Sequence, residues 1–542
     1  MRKVVLSGLV LCIGIQVAAQ NRDGLGGDNT GILIGQTRIE LTDARRIPTE
    51  PKIEVPEVST PELSYSITLS PSEVPATIQL PDAQRMQKEK APKYAHNYVK
   101  LGYGNNFSPL ADIYITMPGK SGMLAFTYHY LGANGPGLMD FNQHRGAIIG
   151  KKQFKKSNLE AGFRYNRRGL YYYGYDPELI LPTKDSARQT YQEIGGNLAW
   201  ETKQSGRKKP YYRADADFYT FSDRWKQTEN RLSIGALSRF EVRKNELNIA
   251  LAYQMQNFSN DSLSFTRNFI DIQPYYTIRK KNWSVNLGFV STLILEEGLD
   301  TRFKFFPRVD GVYEIEKDQL AVFGGFYGKV QKNTFRDFAL QNPFLSYTPS
   351  LDVSIHQFVM DAGIKGKITG NTGFVTKAHY ARINSMPLFI NDTNEWRSFL
   401  IIHDDVELIR LSAELSHQYS EKFRMAFSFN YSYYAPTIQE AAWQLPNFDS
   451  KLNMTYNMAD KILLSFDAFI IGKRKAYRAF DDVNEFHTIK ALGDFNLGVD
   501  YRWKKQISAF LRLNNLLGQN FQVWYAHPMY SFNMHAGVAI GF

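Results

Sequence analysis

The chain has 542 residues, 43% hydrophobic and 22% charged, with a net charge of +11, 32 Tyr and 37 Phe. This hydrophobic content excludes a disordered polymer. A mean hydropathy of −0.36, with no apolar run of about 18 residues beyond the first twenty, excludes a bundle of membrane helices.

The N-terminus has the three parts of an export signal. Arg2 and Lys3 form its positive end, Val4 to Val17 its apolar stretch, and Val17-Ala18-Ala19 its cleavage site. Residues 1–19 are read as a signal peptide, with the mature chain starting at Gln20. The one cysteine, Cys12, follows Leu11 rather than the small residue that lipidation needs. A mature chain without cysteine has no disulfide and no thiolate metal site.

Residues 20–96 hold eight of the 22 prolines, among them Pro48, Pro51, Pro56 and Pro61. Each proline removes a ladder donor, so the segment is expected to be an extended arm with polyproline-like stretches. The arm is placed on the periplasmic side or in a lumen. One short strand is allowed at Ile32–Leu41.

From Asn97 to Phe542 the pattern becomes long runs with a period of two, as in Phe423, Met425, Phe427, Phe429, Tyr431 and Tyr433. The last run reads Tyr530, Phe532, Met534, Ala536, Val538, Ile540 and Phe542, all apolar, with small or polar residues between them. Short polar turns such as Arg243-Lys244-Asn245, Lys280-Lys281-Asn282 and Thr369-Gly370-Asn371 separate pairs of runs. Longer connections fall between them, at about 131–143, 167–188, 221–228, 257–266, 297–303, 331–352, 385–399, 434–448, 476–487 and 515–529. The first hairpin joins about 97–103 to 109–117. Short turns at one end and long loops at the other characterise an outer-membrane barrel with its turns in the periplasm. Ten turns and eleven outer connections imply 22 strands. The fold class is therefore all-β: a large transmembrane antiparallel β-barrel over 97–542, preceded by the Pro-rich arm. The location is the bacterial outer membrane, reached by export.

A positive net charge invites a phosphate-rich partner such as lipopolysaccharide or nucleic acid. Export argues against nucleic acid, and the crowding of Lys and Arg in turns favours a solvated surface. The partners expected are outer-membrane lipid and lipopolysaccharide.

Candidate chemistry is sparse. His403-Asp404-Asp405 could activate water, but no Ser stands at a telling spacing and solvation is favoured. The acidic loops Asn391-Asp392-Thr393-Asn394-Glu395 and Asp481-Asp482-Val483-Asn484-Glu485 depart from calcium-loop spacing. The ten His residues have no paired-ligand spacing. The reading is not an enzyme, with no cofactor and no metal. Leu170-Tyr171-Tyr172-Tyr173-Gly174-Tyr175, in an outer loop, reads as an interfacial girdle or as loop packing. If Tyr212, Ala214, Ala216 and Phe218 face lipid, Arg213, Asp215 and Asp217 face the lumen. The same logic turns Arg424, Asp467, Asp494, Asp500 and Arg502 inward. Charges there must pair, contact the arm or line water.

Phe510-Leu511-Arg512-Leu513-Asn514-Asn515-Leu516-Leu517, followed by Trp524-Tyr525 and a last strand with Phe532, Gly537 and terminal Phe542, resembles the ending of TonB-dependent outer-membrane transporters. That family has 22-stranded barrels. The barrel start resembles the Bacteroidota subgroup labelled TonB-dependent-receptor-like. Its features are Tyr65-Ser66-Ile67, Tyr98-Val99-Lys100-Leu101-Gly102-Tyr103-Gly104-Asn105, Ser108-Pro109-Leu110 and Tyr130-Leu131-Gly132-Ala133-Asn134-Gly135. The arm departs from the family, being too short and Pro-rich for its plug domain. Ile32-Leu33-Ile34-Gly35-Gln36 is the candidate energy-coupling box. The resemblance implies solute transport across the outer membrane, with a plug-bearing protein or lipoprotein as partner. The alternative is a non-enzymatic barrel subunit of an outer-membrane secretion or assembly complex.

Overall fold

The computed structural model describes residues 97–174, 183–203, 209–347, 349–392, 397–480 and 483–542. The arm, the strand allowed at Ile32–Leu41 and the candidate coupling box lie outside them.

Backbone amides cannot be left unpaired in hydrocarbon, so strands can span a membrane only in a closed ladder. The chain meets that condition with one 22-stranded antiparallel sheet. Each strand pairs with its sequence neighbour in the sheet, and the first strand, Asn97–Gly104, pairs with the last, Asn533–Gly541. At the closure Asn97 N–H donates to Phe542 C=O and Phe542 N–H to Asn97 C=O, both at 3.0 Å. Both ends of the barrel chain therefore lie at the short-turn end. The turns there are tight. In the hairpin at Ala459-Asp460 both residues adopt left-handed backbone, with φ of 53° and 56°, which matches the twist of the flanking strands.

Alternation separates two faces. In Tyr211–Ser222, Tyr212 and Phe218 are exposed, while Tyr219 and Phe221 are buried on the other face. In Phe423–Pro436, Phe427, Phe429, Tyr431 and Tyr433 are exposed and Ser432 is buried. Exposed Leu, Ile, Phe and Tyr recur on strands throughout the sheet. A soluble protein buries such a continuous apolar surface, and here lipid covers it.

The seam depends on glycine. Gly102 and Gly537 are register partners, and a Cβ on Gly537 would stand 2.0 Å from Leu101 C=O. The Phe510 ring lies over the pair and covers the space.

The structure corrects several boundaries. The last strand starts at Asn533, so Tyr530 does not join its outer face. Tyr530 is buried, and its hydroxyl donates to Met139 C=O. The connection expected at 476–487 spans 472–491 and carries a hairpin, Arg474–Phe480 with Val483–Ile489, and a small pair, Gln522–Trp524 with His527–Pro528, lies within the final long loop. Two short helices, Lys184–Ala187 and Phe335–Gln341, also interrupt long connections. Hydrophobic period does not reveal such short elements, because loop packing stabilises them rather than an amphipathic repeat.

Gly537→Val should block closure, at a cost on the order of 3 kcal/mol. The variant is expected to lose the fast-migrating form that a folded barrel shows on unheated gels. Gly370→Ser, at a turn with open space around the Cβ position, should keep that form. A folded Gly537→Val barrel would contradict this account of the seam.

Candidate functional site

The long connection 332–353 leaves strand Leu320–Gln331 and returns to Ser354–Thr369. Between these, its side chains reach walls far from its own strands. Phe335 meets Tyr191, Phe221 and Phe258 at ring-centroid distances of 6.2, 5.3 and 5.6 Å. These rings belong to strands Arg188–Thr202, Tyr211–Ser222 and Asn245–Ser259. Phe338 meets Phe389 of strand Thr372–Asn391 at 6.0 Å. Leu345 forms a bridge to Phe399, and Ser346 N–H donates to Phe399 C=O at 2.9 Å. The Tyr172 and Tyr191 hydroxyls donate to Leu345 C=O at 2.6 Å and Pro343 C=O at 3.0 Å. Arg188–Thr202 is sixth around the barrel and Phe399–Gln418 sixteenth. A segment that touches both must run through the lumen.

The crossing segment builds a core where a barrel would otherwise be hollow. Phe335, Phe338, Phe344 and Leu345 join Leu131, Phe141, Tyr219, Trp524 and Tyr530 in one buried cluster. Burying each large apolar side chain contributes about 1.5–3 kcal/mol, so the segment is held firmly. Its helix is capped by Thr334, whose hydroxyl accepts from Asp337 N–H at 3.0 Å.

Polar groups fix its position. Glu193 accepts from Arg164 Nε at 2.6 Å and pairs with Arg336 at 3.0 Å. Arg164 also binds both oxygens of Asp217, at 2.7 and 3.1 Å. The Arg336 guanidinium lies 4.9 Å from the Tyr219 ring centroid. Burial opposes the Arg336 cation, but Glu193, Tyr219 and Asp337 together hold its pKa above the ordinary value. Buried Glu229 accepts from Phe335 N–H at 2.7 Å, from Tyr219 at 2.7 Å and from Gln256 at 3.1 Å. At the segment's ends Lys332 pairs with Asp271 at 2.5 Å, and Arg267 donates to Leu351 C=O at 2.9 Å.

His527 closes the other side of the cluster. Its ring lies 4.2 Å from Phe344, 5.2 Å from Phe399 and 5.2 Å from Tyr173. Burial pushes its pKa down to about 4, and the carbonyls of Tyr525 and Arg397 offset that only in part.

The charges singled out in the sequence are dispersed. Asp217 binds Arg164, and Arg213 stands 3.4 Å from Asp215. Asp500 pairs with Arg512 at 2.6 Å. Asp467 accepts from Asn453 at 2.5 Å, and buried Asp494 accepts from Leu517 N–H at 3.1 Å. Arg502 donates to Asp460 C=O at 3.3 Å, and Arg424 is exposed near the short-turn end. Of these eight, only Asp217 joins the crossing-segment network. Arg164, Glu193 and Arg336 were missed, because the pairing of a strand with a distant loop leaves no spacing in the sequence. The inward parity of Arg164 and Glu193 was the available signal.

His403-Asp404-Asp405 serves the loops. Asp404 accepts from the amides of Ile438 and Gln439, and Asp405 from Asn384 and Ser385. His403 Nδ1 lies 3.3 Å from the Ser350 hydroxyl. Tyr172 and Tyr173 pack in the lumenal cluster rather than in a girdle. Among the described residues no group of three or more His, Cys, Asp or Glu could hold a metal ion. Glu395, Asp481 and Asp482 lie outside the described residues.

Glu193→Ala should destabilise the protein by about 3–5 kcal/mol, since it leaves two guanidinium groups without their shared carboxylate. Chemical denaturation measures the loss, and hydrogen exchange of residues 333–347 should rise with it. Unchanged exchange would contradict the network. His527 has a folded pKa below the ordinary 6.5, so its contribution is full above pH 6.5 and fades as the pH falls toward 4. Exchange of residues 515–532 should accelerate across that window, and His527→Phe should flatten the response.

No protein-family model and no curated protein sequence matches the chain. Solved structures do. The FrpB iron transporter from Neisseria meningitidis, in apoprotein form, superposes with a TM-score of 0.66 at 10% identity, covering 83% of this chain and 82% of its own. The ferric-catecholate import receptor Fiu from E. coli K12 gives 0.64 at 8% identity, over 84% and 82%. The pyoverdine outer-membrane receptor FpvA from Pseudomonas aeruginosa gives 0.62 at 12% identity, over 84% and 79%. At these identities the likeness is one of fold: this chain has the large barrel architecture that outer-membrane receptors and transporters use.

Proposed function

We propose that this protein moves a solute across the bacterial outer membrane, without enzymatic chemistry, and that segment 332–353 closes its outer mouth. The observation that carries the reading is the crossing itself. A 22-stranded barrel is too wide to be filled by its own wall side chains, and here a single connection spans it and is locked by ion pairs. A purely structural barrel has no need of a septum across its lumen. The fold likeness to iron transporters and siderophore receptors, and the resemblance of the chain's ending to TonB-dependent transporters, support the same reading.

In this reading the short turns face the periplasm and the long loops face outward. Residues 1–19 are proposed to direct export, and the Pro-rich stretch 20–96 to precede the barrel as an arm. The partner we propose is a plug-bearing protein or lipoprotein. The Bacteroidota receptor-like subgroup is the assignment that the barrel start favours.

Planar-bilayer recording tests the proposal. The wild-type barrel should conduct little. Replacing residues 335–347 by a short Gly/Ser linker, in the full chain and in a second variant also lacking residues 20–90, should open large steady channels in at least the second. Silence in both variants, with folded barrels on gels, would overturn it.

A further inference from the structure

The excess positive charge is concentrated at one rim. The ten short turns hold fourteen described Lys or Arg residues, all exposed, against three carboxylates, those of Asp318, Glu421 and Asp460. Doublets dominate, as at Lys155-Lys156, Lys280-Lys281 and Lys504-Lys505. Among the described residues Lys155, Lys156, Lys280, Lys281 and Lys505 have no acidic partner. The long connections at the other end balance, with ten described cations and ten described carboxylates.

Aromatic rings stand beside the basic turns. Phe154, Trp283, Tyr419 and Trp503 are exposed, Trp503 by 65% and Tyr419 by 75%. Lys504 Nζ lies 4.9 Å from the Trp503 ring centroid. Amphipathic rings of this kind settle at the level of lipid headgroups. Cations next to them therefore meet headgroup phosphates rather than bulk water, at a distance well inside the screening length.

We propose that the short-turn rim is a binding surface for anionic phospholipid headgroups, which it gathers from the adjoining leaflet. The proposal rests on barrel insertion but not on transport. The net charge lies on six neighbouring turns, from Lys504-Lys505 across the seam to Lys280-Lys281, while the four turns between them, where Lys317, Lys422 and Lys461 are matched by Asp318, Glu421 and Asp460, carry none. An arc of more than half the rim is what a row of headgroups covers. A folded protein partner would be met by one localised patch.

The full-length protein, reconstituted in nanodiscs of phosphatidylcholine with phosphatidylglycerol, provides the test. Quantifying lipid that stays with the protein after mild-detergent extraction should show phosphatidylglycerol enriched about fivefold or more over the bulk at low salt, declining as salt rises. K280Q/K281Q/K504Q/K505Q should lose most of the enrichment and keep the folded gel form. K184Q/K226Q/K473Q/K475Q, an equal charge change in the long loops, should keep it. Equal retention of both lipids by wild type, or full enrichment in the inner-turn variant, would overturn the proposal. So would retention of an acidic protein in place of lipid, lost only in the inner-turn variant, since that would assign the rim to a protein.

Discussion

The rest of the structure depends on a pair of hydrogen bonds between the first and last barrel residues, Asn97 and Phe542. In hydrocarbon an open sheet edge would carry a row of unpaired amides, and no outward side chain could compensate. Closure therefore constrains everything before it. It requires an even number of antiparallel strands when both ends share a rim. It requires glycine where Gly102 and Gly537 face each other. It also creates an interior that cannot be filled from the wall.

That interior accounts for the crossing segment. Lipid offers no gain for apolar groups that turn inward, and water in the lumen penalises them. Tyr191, Phe221 and Phe258 on one wall and Phe389 and Phe399 on the other are nonetheless inward and buried. Phe335, Phe338, Phe344 and Leu345 supply the missing partners. Charge then selects one placement, because Glu193 and Glu229 sit on the wall where Arg336 and the Phe335 amide of the segment meet them. Apolar contact gives the septum its stability, and the buried carboxylates give it its register.

Much of the wall was legible in the sequence. Period-two runs, ten short turns and the apolar alternation of Phe532 to Phe542 together lead to the strand number and to closure. The lumenal core was not. Tyr530 continues the apolar alternation of the last strand, yet it turns inward because the strand begins three residues later. Tyr172 and Tyr173 read in sequence as a girdle or as loop packing, and they pack against the septum. Arg336 lies in a loop whose length announces function without saying where it goes. Local pattern encodes which face of a strand meets lipid. It does not encode which distant wall a loop will touch, since that depends on curvature and on side chains far along the chain.

The most direct measurement is a cross-link across the lumen. With Cys12, the one cysteine of the sequence, replaced by Ser, E193C/R336C leaves two thiols in the protein, and a short bis-thiol-reactive reagent can join them in lipid. If segment 332–353 spans the barrel, the link forms in high yield, while R336C paired with a cysteine in place of exposed Leu299 does not react. Absence of the Glu193–Arg336 link in a folded, reconstituted barrel would mean that the segment lies outside the lumen, and the account of a closed mouth would fail.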